Sequence, residues 1–533
     1  MISRRGFLAG SLAAGAGLAL NSRLAFAAPP ASGGIRTFHA SIDMDAFKND
    51  PALAEEVRAA GVSRVWLACF FEGQWHYTIE QMQEGIKALN ALGFEVSIIN
   101  IPLGHPSFSQ ETPDYMPKVQ PNGWRRGVRP DGRTYSGVSI HPPATQQNIE
   151  GIPKLKALDP KIVFLDDDFR LAPSPDDIGG CFCNDHKAAY LQRNGFAEAR
   201  WAELLDDVNN RRYTDLTKAW VNDACDELTA SFRAQQAAAA PEMALGNMVM
   251  YMGCEKAGIR LVDYRGVPMR VGEGHFSDDP YAPVKGKTNE LFSVLFHRRY
   301  FAPELSYSET TAWPPDKLSA PNMASKLTIS TIADVRNQMF MSGITPFPRT
   351  HWAVLAPAMK KQAAIHEKVA GLKLQGPLKH YWGERSRTIG DSNGYSLFLA
   401  MGIPFEVSDE IATDGWTFLS DWDAQAVQAG ELKSNGTTFV HRPNLGFTLE
   451  GAREIKEDMP DLFALKHELV KNLTSVPYVE EDVPAVCAWY PERRAVLVWN
   501  LTEQPQTLTV KLGDTRRPIS LAPLDSDLLE LQS

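Results

Sequence analysis

From residue 37 onward, short apolar runs alternate with stretches whose apolar positions recur at helical spacing. Thr37 to Phe47 (TFHASIDMDAF) opens the series as a strand, and Pro51 to Ala60 follows as a helix. Val62 to Phe71 is the second strand, Ile79 to Leu92 a helix, and Phe94 to Leu103 the third strand. A polar Gly/Pro/Arg-rich segment then covers 104–143, long enough to be functional rather than a connector. A helix over Thr145 to Leu158 leads into Ile162 to Leu165, a buried strand by its unbroken apolar run. Further strands are predicted at Met243–Met250, Val267–Gly272, Glu304–Ser308 and Gly343–Phe347. Helical patterns at 185–197, 212–239, 286–300 and 321–341 separate them. Eight alternations over roughly 340 residues predict a (β/α)8 TIM barrel spanning 34–375.

Beyond the barrel the texture changes. Mixed strand and helix patterns (YSLFLAMGIPFEV, TFLSDWDAQAV, GTTFVHRP) predict a small α/β, flavodoxin-like domain over 376–475. From 476 to 533, alternating segments with turn signals (AVCAWYPERRAVLVWNLTEQ) predict a β-sandwich. At the other end, Arg4-Arg5 opens an apolar Ala/Gly-rich segment closing at Ala25-Phe26-Ala27. Residues 1–27 therefore have the form of a twin-arginine export signal cut after Ala27, and the mature chain is expected in the periplasm. The apolar run is too short and too rich in small residues to be a stable membrane span.

Charge narrows the partners. A net charge of −10 without a dense Lys/Arg run excludes a nucleic-acid surface. Six cysteines (Cys69, Cys181, Cys183, Cys225, Cys254 and Cys487) in 533 residues are no disulfide framework.

The chemistry concentrates just after the strands, where barrel active sites lie. Asp166, Asp167 and Asp168 stand in a row at the end of the fourth strand. Three adjacent like charges favour no fold by themselves, so they are expected to meet a ligand, a metal or a reacting bond. Strand alternation puts Asp166 and Asp168 on one face and Asp167 on the other, and does not choose among them. Cys181, Cys183 and His186 form a C-x-C-x-x-H set of metal-ligand types. Asp43 and Asp45 end the first strand, Glu273 and His275 the sixth, and Glu309 the seventh, while Arg349, His351 and Trp352 follow the eighth. Trp75, Trp124, Trp313 and Trp352 fall in loops, where one or two are expected to stack on a sugar ring.

Together these stretches resemble glycoside hydrolase family 42, the β-galactosidases and related enzymes of clan A. The domain order matches, and so do Leu165-Asp166-Asp167-Asp168-Phe169 followed by Cys181-Phe182-Cys183-Asn184-Asp185-His186, Leu295-Phe296-His297-Arg298-Arg299-Tyr300, and Ser306-Tyr307-Ser308-Glu309-Thr310-Thr311. The family's fourth strand ends in Asn-Glu; here Asp167-Asp168 stands in that place, with an acid one methylene shorter, about 1 Å. The resemblance implies a carbohydrate substrate and a retaining two-carboxylate mechanism, with Asp168 as acid/base and Glu309 as nucleophile. Asp166, Asp167, Glu273, His275, Arg349, His351 and Trp352 would hold sugar hydroxyls, or Glu273 would replace Glu309 as nucleophile. It also implies a structural zinc on His141, Cys181, Cys183 and His186, not required for catalysis, and a homotrimer by analogy. Two alternatives stay open from the residues: a divalent cation on Asp166–Asp168 in a metal-dependent hydrolase, and a barrel that binds sugars without turnover.

Overall fold

The computed structural model of the chain describes residues 35–71, 73–104, 123–166, 169–343 and 345–531. The export signal proposed for residues 1–27, together with Asp167 and Asp168, lies outside the described residues.

Eight parallel strands close into a barrel: β1 (Thr37–Ser41), β2 (Arg64–Phe71), β3 (Glu95–Ile101), β4 (Ile162–Leu165), β5 (Ala244–Met248), β6 (Met269–Arg270), β7 (Ser306–Tyr307) and β8 (Asn337–Met341). Each pairs in parallel with the next, and β8 with β1. The outer layer is started by local signals the sequence carries plainly. Asp50 caps the helix Pro51–Ala59, and Thr78 with Gln81 forms a capping box for Ile79–Ala91. Longer helices follow at Pro142–Leu155, Asp215–Ala239, Val284–Arg298, Ala320–Ile332 and His351–Val369. After β5 there are only two short 3-10 turns, Glu255–Ala257 and Leu261–Tyr264.

The barrel interior is plugged by rings. Trp66 of β2, Phe164 of β4 and Tyr307 of β7 meet at centroid distances of 4.8–5.9 Å, and His39 of β1 joins them. Trp66 Nε1 donates to His39 Nδ1, so His39 carries its proton on Nε2, and burial holds its pKa well below the usual histidine value. Gly246 on β5 makes room for this plug, since a Cβ there would stand 2.6 Å from the Phe164 ring. Side chains alternate along a strand, so Asp166 and Glu309, each two residues beyond a plug residue, rise from its top toward the C-terminal mouth.

Four expectations change in detail. The eighth strand is Asn337–Met341, not Gly343–Phe347, and the helix before it stops at Ile332. Asp334 breaks that helix with a left-handed backbone (φ 53°), its carboxylate accepting from His366 Nε2 at 2.7 Å. All five strand residues are buried, which removes the period-2 signal, and Asn337 disguises the strand by spending its amide on the backbone oxygens of Glu304 and Ser306. The first strand ends at Ser41, because Asp43 caps a short helix, Met44–Asn49. The segment read as an open loop contains a hairpin, Arg126–Val128 with Thr134–Val138, turned through Gly132 at φ 82°. The helix after it begins at Pro142 rather than Thr145.

The later sheets follow in chain order. Strands β9 (Leu378–Tyr381), β10 (Phe405–Ser408), β11 (Trp416–Leu419), β12 (Thr438–His441) and β13 (Arg453–Glu454) form a parallel sheet in the order β10-β9-β11-β12-β13, the flavodoxin-like order. It is tied to the barrel by the pairs Arg387–Glu255 (2.9 Å), Arg299–Asp409 (2.8 Å) and Lys285–Glu457 (2.9 Å). Two three-stranded antiparallel sheets end the chain, Tyr478–Val479 with Gln506–Leu512 and Thr515–Leu521, and Ala485–Tyr490 with Ala495–Asn500 and Ser526–Glu530. The second is sandwiched between the first sheet and the barrel helices, with Gln362 donating to Ser526 at 2.7 Å. This explains why Ala485–Tyr490 and Ala495–Asn500 are buried at every position. No helix among the described residues is long and apolar enough to cross a membrane.

Candidate active site

Above the aromatic plug stands a buried ion cluster. Arg270, at the end of β6, is fully buried; its Nη2 pairs with Asp166 Oδ1 and lies 3.9 Å from Glu309 Oε1. The guanidinium also bonds the Met248 and Met341 sulfurs and sits over the Phe164 ring at 5.9 Å. A strand-four carboxylate and a strand-seven carboxylate thus share one nitrogen across the barrel mouth. The two carboxyls therefore converge from opposite walls on one point of the mouth. Arg270 escaped the sequence reading. The available signal was a lone arginine inside an apolar strand run (VPMRVG), which a packed barrel tolerates only beside interior acids.

Glu309 is 5 % exposed, and its placement depends on what lies behind it. Its backbone N–H donates to Glu273 Oε1 at 3.1 Å. The Glu273 carboxyl meets the helical layer, where Lys326 Nζ lies 3.7 Å from Oε2. Lys326 also pairs with Glu290 at 2.8 Å. Burial, opposed by Lys326 and reinforced by Glu290, raises the Glu273 carboxyl to about 8. The alternative in which Glu273 replaces Glu309 as nucleophile is therefore corrected, because a carboxyl walled in by two helices does not reach a substrate. His275 joins the same network: its N–H donates to Glu290 at 3.2 Å, its ring packs on Tyr251, and burial lowers its pKa.

The residues after the eighth strand have partners elsewhere. Arg349 pairs with Asp50 (3.0 Å) and Glu56 (2.6 Å), and His351 Nε2 bonds the Leu318 oxygen at 2.9 Å. Trp352 is a core residue, 2 % exposed, with its ring against Phe340 and Phe347, which corrects the expectation of a sugar platform there. Trp124 is likewise buried, its Nε1 donating to Gln147, and Trp75 packs on Phe70. Trp313 alone of the four is 44 % exposed, four residues past Glu309. Asp43 spends its carboxylate on the Asp45 N–H and the Tyr77 hydroxyl, a capping role.

On the loop after β4 a second cluster forms. One ligand-type atom from each of His141, Cys181, Cys183 and His186 lies within 4.8 Å of the others. His141 and Cys183 are the N-caps of the helices Pro142–Leu155 and Asn184–Asn194, so two helix starts and one loop converge there. Cys183 Sγ is 3.2 Å from His186 Nδ1, and His186 Nε2 faces Glu227 at 3.5 Å. Two thiols and two imidazoles suit tetrahedral zinc, and a carboxylate behind a ligating imidazole is the usual outer partner. A hydrogen bond between the thiols holds Cys181 down to about 6 and pushes Cys183 up to about 12, so the pair loses its first proton near neutrality. The donor set fits the metal.

No family model matches the sequence, and no curated protein matches it. Among solved structures, the chain is similar to Gan42B, a GH42 β-galactosidase from G. stearothermophilus, in its catalytic-mutant form: TM-score 0.57 at 11% identity, covering 93% of this chain and 98% of that chain. A second structure of Gan42B gives a TM-score of 0.56 at 11% identity, with 93% and 98% covered. At that identity the likeness is one of fold. It extends over nearly the whole of both chains, barrel and later sheets together.

Proposed function

We propose that this chain is an exported glycoside hydrolase that cleaves a β-galactoside-like bond with retention, Glu309 acting as nucleophile and Asp168 as acid/base. The observation that carries this proposal is the meeting of Asp166 and Glu309 at one nitrogen of Arg270, at the mouth of a barrel plugged below them by Trp66, Phe164 and Tyr307. Glycosidic cleavage asks for one carboxyl to protonate the leaving oxygen and another to attack the anomeric carbon. Glu309 rises into the mouth from strand seven, and Asp166 reaches the same point from the opposite wall. Trp313, with its exposed ring just beyond Glu309, offers a face for the sugar. The substrate class follows the GH42 β-galactosidases whose fold the chain shares. Asp166 already pairs with a guanidinium, which favours the glycosidase over the divalent-cation alternative. A panel of nitrophenyl glycosides, β-D-galactoside and α-L-arabinopyranoside first, tests the assignment. Turnover of at least one is expected, and none across the panel overturns it.

The same proposal includes a structural zinc on His141, Cys181, Cys183 and His186. When bound it would pin the hairpin loop to the strand-four loop, and the reaction itself would not pass through it. Metal analysis of purified protein is expected to give one zinc per chain, and none in C181S/C183S. Chelation is expected to lower the thermal midpoint while leaving aryl-glycoside turnover in place below it. Zinc-free wild-type protein would remove this part of the proposal alone.

A further inference from the structure

We propose that Glu273 is a positioning residue for Glu309: its carboxyl, walled off from the cleft, grips the Glu309 backbone N–H and so sets where the Glu309 side chain stands. The inference rests on Glu309 as nucleophile. Three observations support it. Glu273 is 1 % exposed, yet its Oε1 accepts from Glu309 N at 3.1 Å and from Thr310 Oγ1 at 3.5 Å, the two residues through which strand seven turns at the mouth. Thr310 Oγ1 in turn accepts from Gln338 Nε2 of β8, so the clamp ties the ends of strands six, seven and eight together. Its surroundings are fixed from the helical layer, where fully buried Lys326 bonds Glu290 Oε1 and Oε2 at 2.8 and 2.9 Å.

The charge count makes the clamp a neutral acid. The groups facing Glu273 are Lys326 and Glu290 from the two helices, Tyr281 from the turn before them, and the Glu309 N–H and Thr310 hydroxyl of the strand-seven turn, while His275 beside it faces Glu290. One ammonium serves two carboxyls here, and it sits nearer Glu290 (2.8 Å) than Glu273 (3.7 Å). Glu273 Oε2 has no hydrogen-bond partner among the described residues, an arrangement that a carboxylic acid tolerates better than a carboxylate. A neutral carboxyl still accepts an N–H through its carbonyl oxygen, and glutamine reproduces that oxygen.

This separates a clamp from a nucleophile. E273Q is expected to lose less than about tenfold in kcat, the effect of one weakened neutral hydrogen bond. E273A is expected to lose about 10²-fold in kcat with KM little changed, the effect of a nucleophile displaced by about 1 Å. Hydrogen exchange of the peptide spanning 306–312 should quicken in E273A and stay slow in E273Q, a readout that holds even if no glycoside is turned over. Thermal midpoints give the protonation state. Burial holds the proton on folded Glu273 up to about 8, whereas in the unfolded chain it ionises near 4.5. Wild type therefore loses stability relative to E273Q as pH rises through that window. A loss in E273Q as large as in E273A, wild-type kcat and exchange in E273A, or an E273Q–wild-type difference flat from pH 5 to 8 overturns the proposal. No turnover by wild type itself would instead strike the glycosidase assignment.

Discussion

E309Q is expected to lower turnover of a nitrophenyl glycoside by on the order of 10⁴-fold or more, the scale seen when one member of a nucleophilic unit is removed. The side chain is isosteric and the clamp on its backbone N–H is untouched, so the barrel should fold as before. What is lost is the anionic oxygen that attacks the anomeric carbon and the charge that answers the developing oxocarbenium ion. Binding of the intact glycoside, read by calorimetry, should persist. D168N is expected to differ in kind. An acid/base residue contributes about 10²–10⁴-fold, and chiefly where the leaving oxygen needs a proton. Nitrophenolate leaves readily, so D168N should damage hydrolysis of alkyl glycosides far more than formation of the covalent intermediate from aryl ones. Exogenous azide should restore release from that intermediate in D168A, because an anion that needs no general base can take the place of water. E309Q retaining a tenth of wild-type turnover would end the assignment of Glu309.

How far this site was legible depended on which residues announce themselves by pattern. The three aspartates after β4, Glu309 after β7 and the Cys/His set stood out because polar residues of those types directly follow apolar runs; Asp166 and Glu309 meet in one cluster, and the Cys/His set forms another. Arg270 and Lys326 did not stand out. Each is a single cation inside a buried element, and a sequence reveals the cation but not the carboxylates that justify its burial, since Asp166 is 104 positions from Arg270 and Glu290 36 from Lys326. Glu273 misled for the opposite reason: it follows a barrel strand, where acids usually face the cleft, but its side chain meets a lysine on the helix after β7. The eighth strand slipped by several residues because a strand buried on both faces shows no alternation, and a left-handed aspartate stops a helix as firmly as a glycine does. Arg349, His351 and Trp352 were tied to that misplaced strand, and they moved with it.

The other large effect is expected at Arg270. In R270M the guanidinium is replaced by an apolar chain, removing the N–H bonds to the Met248 and Met341 sulfurs along with the cation shared by Asp166 and Glu309. Both carboxyls are largely shielded, with side-chain exposures of 14% and 6%, so water does not take over the role. Breaking a buried ionic cluster by deleting one partner costs about 3–5 kcal/mol, because the remaining charges stay buried without compensation. Urea unfolding should show a free energy lowered by that amount, read as a lower midpoint at unchanged slope, and turnover should fall with it, since two carboxyls that repel across the mouth no longer hold their spacing. R270K keeps the charge but replaces a planar fork by a point donor that reaches one carboxylate at a time, so it should recover most of the stability and little of the turnover. The double variant D166N/R270M removes one of the two opposed charges as well as the cation, and should be more stable than R270M alone. If R270M unfolds at the wild-type midpoint, the cluster is not the tie between strands four, six and seven, and the geometry built on it fails.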